Sequence, residues 1–352
     1  MKNIWLDCDP GHDDATAILL AVSAPNVKLL GVSNVHGNSD SNCTFNNAVR
    51  CLYAFGADPE VLVHRGAASP LIKHEKHDPE IHGRDGLGGV EGLPSVTDPA
   101  LKERLESSLR APRAVEGIAN CIRRLIDDGK SKSDSESEKV TIVSTGPMTN
   151  IALFVSVYPD LLQHVEQFVF MGGGVGIGNR SAVAEYNILC DPEAAQIVLN
   201  APVKKTMIPL NVTHTAIVTS EIHARLLSPS GSQSTTPLRH TLSTLISFFA
   251  DSYKSVFGFE GGPPLHDALT IAYVAAPELF RTRRFRVDIE LGGHHTSGET
   301  VVDLWDYRKA AEDDWGRDGK NCLVAESVDV SRFFDFFVEC IERCDAISPL
   351  NH

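Results

Sequence analysis

Four aspartates fall within the octapeptide DCDPGHDD, residues 7–14, directly after the chain's first apolar run, IWL. Two unit charges about 5 Å apart repel by about 3 kcal/mol at an effective dielectric of about 20. No lysine or arginine occurs between Lys2 and Lys28 to offset that repulsion, so a bound cation is the leading expectation. Helix capping by an exposed acid accounts for Asp13 alone as well as a metal does, but it does not account for four acids. Oxygen ligation selects a hard ion: Ca2+ takes roughly six to eight oxygens from carboxylates, carbonyls and waters, whereas Mg2+ insists on an octahedron. An EF-hand loop has a similar rhythm of acids and glycine but needs a glutamate at its twelfth position. Counting from Asp7 puts Ile18 there.

Such a turn has to be held by rigid elements, and the flanking sequence supplies them. Apolar runs alternate with amphipathic stretches: NIWL, DATAILLAVSA, VKLLGVSNV, NCTFNNAVRCLYAFG and VLVH. A helix near AVEGIANCIRRLIDDG, a strand KVTIVST, a helix NIALFVSVY, a strand EQFVFMGG, a helix PEAAQIVLN and a strand KKTMIPLNV continue the pattern. That alternation predicts an α/β fold with a mostly parallel central sheet flanked by helices. Later segments predict additional C-terminal helices (HTLSTLISFFADSYKSVFG, HDALTIAYVAA, SRFFDFFVECIERC) and antiparallel strands (RFRVDIELG, ETVVDLW), with CLVAESV as a last strand. The chain is expected to form one domain over 1–352, with surface loops at 131–139 and 228–237, whose polar composition cannot bury a core.

Parallel sheets bind ligands beyond the carboxyl ends of their strands. Asp7 and Asp9 end the first strand, and His36, Gly37 and Asn38 the second. Thr145 with Gly146, Met171 with three glycines, and Asn211 end later ones. One cleft at that edge is the expectation.

A formal charge of -14 over 352 residues argues against nucleic acid and anionic membranes as partners and favours a neutral small molecule. Eight cysteines without C-x-x-C spacing read as reduced core thiols rather than a zinc or redox site. The opening MKNIWLDCDP reaches charge too soon for a secretory leader, and no apolar stretch has the length of a membrane span. A cytoplasmic enzyme is expected.

DCDPGHDDA resembles the D-x-D-x-x-x-D-D signature of the nucleoside hydrolases, which cleave the N-glycosidic bond of ribonucleosides. The resemblance extends in order through VHGN (35–38), IHGRDGLGG (81–89), STGPMTN (144–150), MGGG (171–174), GNRSAVAEYN (178–187) and GPPLHDALT (262–270). The opening and FGFEGGPPLHD are most similar to the uridine-type nucleosidases of that family. The resemblance implies the nucleoside hydrolase fold and a Ca2+ ion held by the carboxylates of Asp9, Asp14 and Asp267 and the carbonyl of Thr145. It further implies Asp9 as general base, Asp13 on the ribose 2′-hydroxyl, Asn38, Asn179, Glu185 and Asn187 gripping the ribose, and Met171 beneath the sugar. His266, and as second candidate His82 in its glycine-rich loop, would assist departure of the base. Asp7 reads as support for the turn. Uridine is the expected substrate, with inosine open, and a homo-oligomer is expected on the same ground.

Departures are few: Ala268 stands where the family commonly has Pro, and HTSGETVVD where it often has T-R-G-x-T-x-V-D. Two other functions compete. A haloacid-dehalogenase-type phosphatase would use Asp7 of the D-x-D as nucleophile, although Pro10 and Gly11 do not match its usual step. A non-catalytic nucleoside- or calcium-binding protein would keep the acids and lose turnover. GGGVGIGN lacks the G-x-G-x-x-G spacing of a dinucleotide loop, and His74, His77, His294 and His295 are expected to be solvated or locally bonded.

Overall fold

The first strand of the chain, β1 (Lys2–Cys8), leads directly into the aspartate turn. The other strands in chain order are β2 (Val27–Asn34), β3 (Val63–Arg65), β4 (Val140–Ser144), β5 (Val165–Met171), β6 (Lys205–Ile208), β7 (Phe280–Phe285), β8 (Val287–Ile289), β9 (Thr300–Val302) and β10 (Cys322–Val328). The chain is seen in a computed structural model that describes residues 1–131, 138–228 and 235–352. Most of the two polar segments expected as surface loops therefore lies outside the described residues. Among those described, eight strands form one sheet in the order β3-β2-β1-β4-β5-β6-β10-β7. Only the pairing of β10 with β7 is antiparallel.

Both faces of this sheet are covered, which is why its inner strands read as apolar runs; β4 is buried along its whole length. Alternation along β1 divides the core. Ile4, Leu6 and Cys8 pack with the helices His12–Ser23, Ser41–Ala54, Pro237–Phe257, Ala268–Ala275 and Val330–Ile347. Trp5 packs on the opposite face with the helices Ala114–Ser131, Thr149–Val157 and Pro192–Leu199. Each fully buried large apolar side chain contributes roughly 1.5–3 kcal/mol. None of the described helices is long and apolar enough to cross a membrane.

The chain moves outward from β1 through β2 to β3, then returns past β1 to start β4. The loops after β1 and β4 thus diverge to opposite faces and open a crevice between them, the position where sheets of this kind bind ligands. The expectation of a mostly parallel sheet with added helices and strands holds, with three differences in detail. RFRVDIELG is two strands, because the side chain of Asn321 replaces the ladder: its Oδ1 accepts from Val287 N–H (2.8 Å) and its Nδ2 donates to Val287 C=O (2.8 Å). β8 consequently leaves the large sheet and pairs with β9 instead. β6 stops at Ile208, and Asn211 lies exposed in the helix Leu210–Thr213, its side chain bonded to Val175. Asn211 is therefore not among the strand-end groups of the cleft.

His36, just beyond β2, is also turned away from the cleft. Its Nε2 meets Thr149 Oγ1 at 2.9 Å, and that hydroxyl donates to Asp191 (2.7 Å), so His36 is the donor and its buried Nδ1 has no partner among the described residues. Burial disfavours the imidazolium and lowers the pKa of His36 from 6.5 to about 4. Between those values the unfolded chain binds a proton that the folded chain does not, so stability is present above about pH 6.5 and is lost as pH falls toward 4. His36→Gln, which keeps an N–H for Thr149 and cannot titrate, is expected to lose less melting temperature than wild type between pH 7 and pH 4.5. Paired thermal melts check this.

Candidate active site

The turn after β1 builds the floor. Gly11 caps the helix His12–Ser23, and Asp14, at its third position, accepts from Gly11 N–H (3.0 Å). Three more donors close on the same carboxylate: Asp9 N–H (3.2 Å), Asn38 Nδ2 (3.1 Å) and Thr145 Oγ1 (2.7 Å). Strand ends of β1, β2 and β4 thus converge on one acid. Asp13, one residue earlier on the helix, lines the cleft, as does Asp267 at the N-cap of Ala268–Ala275. Carboxylate oxygens of Asp13, Asp14 and Asp267 lie within 4.8 Å of one another, and all three residues are buried.

Asp9 stands beside this triad rather than within it. Its Oδ2 accepts from Asn38 N–H at 2.7 Å, whereas its Oδ1, like Asp13 Oδ1, is buried with no hydrogen-bond partner among the described residues. Two glycines make room for it. A Cβ on Gly37 (φ +153°) would come within 2.0 Å of Asp9 Oδ2, and one on Gly146 within 2.3 Å of Oδ1. Burial, and then repulsion from neighbouring aspartates, raises the pKa of Asp9, Asp13 and Asp267 well above the ordinary carboxylate value. Crowded buried acids with unpartnered oxygens fit a hard divalent cation, since oxygen donors alone surround the position and burial without a counter-charge is costly.

Above the floor lies a narrow cleft whose lining includes Asn38, Thr145, Met171, Asn179, Glu185, Asn187, His82 and His266. Every residue expected at the sugar or the base is therefore brought to one cavity. Several are themselves held in place. Asn187 Nδ2 donates to Thr145 C=O (2.9 Å), tying the helix Tyr186–Cys190 to the end of β4. Glu185 caps that helix through Asn187 N–H (2.9 Å) and Ile188 N–H (3.2 Å) and also accepts from Gly173 N–H (2.9 Å); burial nevertheless raises its pKa to about 7. Asn179 Oδ1 accepts from Tyr186 N–H at 2.9 Å. Across the mouth, Arg180 forms a two-point ion pair with Asp78 and lies over the Phe257 ring at 5.1 Å.

The two histidines differ in what they leave free. Thr213 Oγ1 is 2.7 Å from His266 Nδ1, and Tyr253 Oη is 2.6 Å from Nε2, so both ring nitrogens are engaged. His82 instead directs Nδ1 at His12 (3.2 Å from the main-chain N–H), and its Nε2 has no partner among the described residues. Burial lowers the pKa of both, assisted by His12 for His82 and by His214 for His266. Thr213 and Phe257 carry no motif signal, because each acts through a contact made by helix packing rather than by sequence spacing; His12 lies inside the aspartate motif without being one of its acids.

Asp7 lies outside the cleft. It is fully buried, accepts from Ser33 Oγ and Asn150 Nδ2 (2.7 Å), and steadies the end of β1. A nucleophilic aspartate for phosphoryl transfer would have to reach the substrate, so the phosphatase alternative is not favoured.

Comparison with known proteins agrees with this geometry. The inosine-uridine preferring nucleoside hydrolase family matches residues 4–335. A probable ribonucleoside hydrolase of Dictyostelium discoideum is 38% identical over 346 residues, 97% of this chain and 94% of its own. A pyrimidine-specific ribonucleoside hydrolase of Shewanella woodyi is 37% identical over 344 residues, 97% of this chain and 98% of its own. Among solved structures, a purine-preferring ribonucleoside hydrolase from Gardnerella vaginalis is similar with a TM-score of 0.82 and 28% identity, over 99% of this chain and 100% of that one. The family match over residues 4–335 takes in the aspartate turn, His266 and Asp267, and this chain belongs to the inosine-uridine preferring nucleoside hydrolase family, as a ribonucleoside hydrolase.

Proposed function

We propose that this enzyme uses Ca2+ to hydrolyse ribonucleosides, uridine before inosine, to ribose and free base. The observation that carries this is the buried triad of Asp13, Asp14 and Asp267 at the floor of a cleft lined by amide, carboxylate and imidazole groups. Asp9, Asp14 and Asp267 with the Thr145 carbonyl would hold the ion. When bound, it would acidify water and anchor the ribose hydroxyls.

The remaining steps belong to the protein's own groups. Hydrolysis of a ribosidic bond passes through a sugar cation, which the aspartates on the floor stabilise by charge. Asp13 faces the cleft with an unpartnered oxygen suited to accept from the 2′-hydroxyl. Asn38, Asn179, Glu185 and Asn187 supply donors and acceptors for the sugar, since a hydroxyl paired with nothing would be costly to bury. Asp9, with Oδ1 free, takes the proton of the attacking water. His82 offers the ring nitrogen that is not already engaged and donates a hydrogen bond from Nε2–H to the base as it departs as an anion, which takes its proton from solvent, while His266 shapes the base pocket through Tyr253.

A pyrimidine preference is supported by relatives such as the Shewanella woodyi enzyme, named as pyrimidine-specific, being more similar in sequence than the purine-preferring Gardnerella vaginalis structure. A homo-oligomeric assembly of one-domain chains acting in the cytoplasm completes the proposal, and sedimentation of the purified protein tests the assembly.

Incubation with uridine, inosine and p-nitrophenyl phosphate, followed by assays for reducing sugar and phosphate, tests the chemistry. Sugar should be released from uridine faster than from inosine, and no phosphate should be released. Asp9→Ala should lower kcat by about 100-fold or more, the scale of a lost general base. Sugar release that survives in Asp9→Ala would remove that residue's role. Calcium is tested without turnover. Added Ca2+ at about a hundred times its dissociation constant stabilises a folded protein by about 2.7 kcal/mol, so melting temperature should rise with calcium and fall with chelator. In Asp14→Ala that response should vanish.

A further inference from the structure

His12 sits inside the aspartate motif yet is neither an acid nor a cleft-lining residue. It is fully buried, with its ring stacked on Phe248 at 4.9 Å and 6°. Two of its groups reach the loop that carries His82. Its main-chain N–H points at His82 Nδ1 (3.2 Å), and its Nε2 is 2.9 Å from Gly88 C=O. Gly88 N–H in turn donates to His82 C=O at 2.9 Å, which closes the loop on itself. The rings of His12 and His82 stack at 5.5 Å, with their Nδ1 atoms 3.3 Å apart.

The donors and acceptors fix the tautomers. A carbonyl only accepts, so His12 carries its hydrogen on Nε2. A main-chain amide only donates, so His82 Nδ1 is the bare nitrogen and neutral His82 carries its hydrogen on Nε2. The loop has to lie close for this to work: a Cβ on Gly88 would come within 2.8 Å of Phe248 Cζ.

We propose that His12 is a positioning residue for the leaving-group donor: by bracing Gly88 and His82 together it holds the His82 ring with Nε2–H turned to the cleft. The inference rests on the proposal above that His82 donates a hydrogen bond to the departing base. It also joins two halves of the site, because His12 is one residue from Asp13 and two from Asp14. Loss of the brace frees the loop without touching a sugar-binding side chain.

The test compares uridine, whose base is a poor leaving group that needs a hydrogen-bond donor, with p-nitrophenyl β-D-ribofuranoside, whose leaving group departs without one. His12→Phe keeps the stack on Phe248 and loses the bond to Gly88. Its kcat on uridine should fall by about 100-fold, the scale of a small misplacement of a catalytic group, with KM nearly unchanged and the p-nitrophenyl rate retained. His12→Gln, whose side-chain amide can reach the Gly88 carbonyl, should recover most of the uridine rate. A His12→Phe enzyme with wild-type kcat on uridine, or with equal losses on both substrates, overturns the inference. His82→Ala separates the two claims. If it leaves the ratio of the two rates at the wild-type value, the role of His82 fails and this inference falls with it. If it lowers the ratio while His12→Phe does not, the positioning role alone fails.

Discussion

Mutual repulsion among buried carboxylates is the constraint around which this protein is arranged. Asp9, Asp13, Asp14 and Asp267 are all at least nine-tenths buried, in a region where no described side chain brings a compensating ammonium or guanidinium. A charge taken out of water without a partner costs several kcal/mol. Asp14 is relieved by four hydrogen bonds from three strand ends. Oxygens of Asp9 and Asp13 have no such relief, so the fold holds them ready for a cation. The cost accepted in the protein alone becomes affinity once the positive charge arrives.

The position of this cluster follows from sheet topology. Reversal of strand order between β1 and β4 leaves a gap at their carboxyl ends that the protein fills with functional groups rather than with core. Buried apolar surface on both faces of the sheet keeps these ends from moving. Cleft-lining side chains are fastened to that frame by short contacts, Asn187 to Thr145 and Glu185 to main-chain amides. His82 reaches the same cleft from a loop, and Tyr253 and Phe257 reach it from the helix Pro237–Phe257.

Much of the site could be read from the letters because its residues lie at strand ends and in short motifs, where local spacing and spatial neighbourhood coincide. Asp9, Asp13 and Asp14 share one turn; Asn38, Thr145 and Met171 each follow a strand. Asn211 failed by the same logic: the strand stops at Ile208 and a short helix turns its side chain outward. The split between β7 and β8 was hidden because one distant side chain, Asn321, substitutes for the expected ladder. Tyr253 and Thr213 meet His266 only because the long helix packs over the cleft.

The sequence by itself determined the chemistry on offer: four acids in one turn, polar residues after successive apolar runs, and a second acid-histidine pair far along the chain. Residue type and alternation are local properties, and they set which groups can ligate, donate or accept. Only the tertiary structure decided which of those groups meet. Asp267 joins Asp13 and Asp14 across some 250 residues, Asp9 is set beside them rather than among them, and among the described residues His82 rather than His266 keeps a ring nitrogen without a partner. Those outcomes depend on contacts between segments with no sequence proximity, and the packing of the two cores against the sheet fixes them.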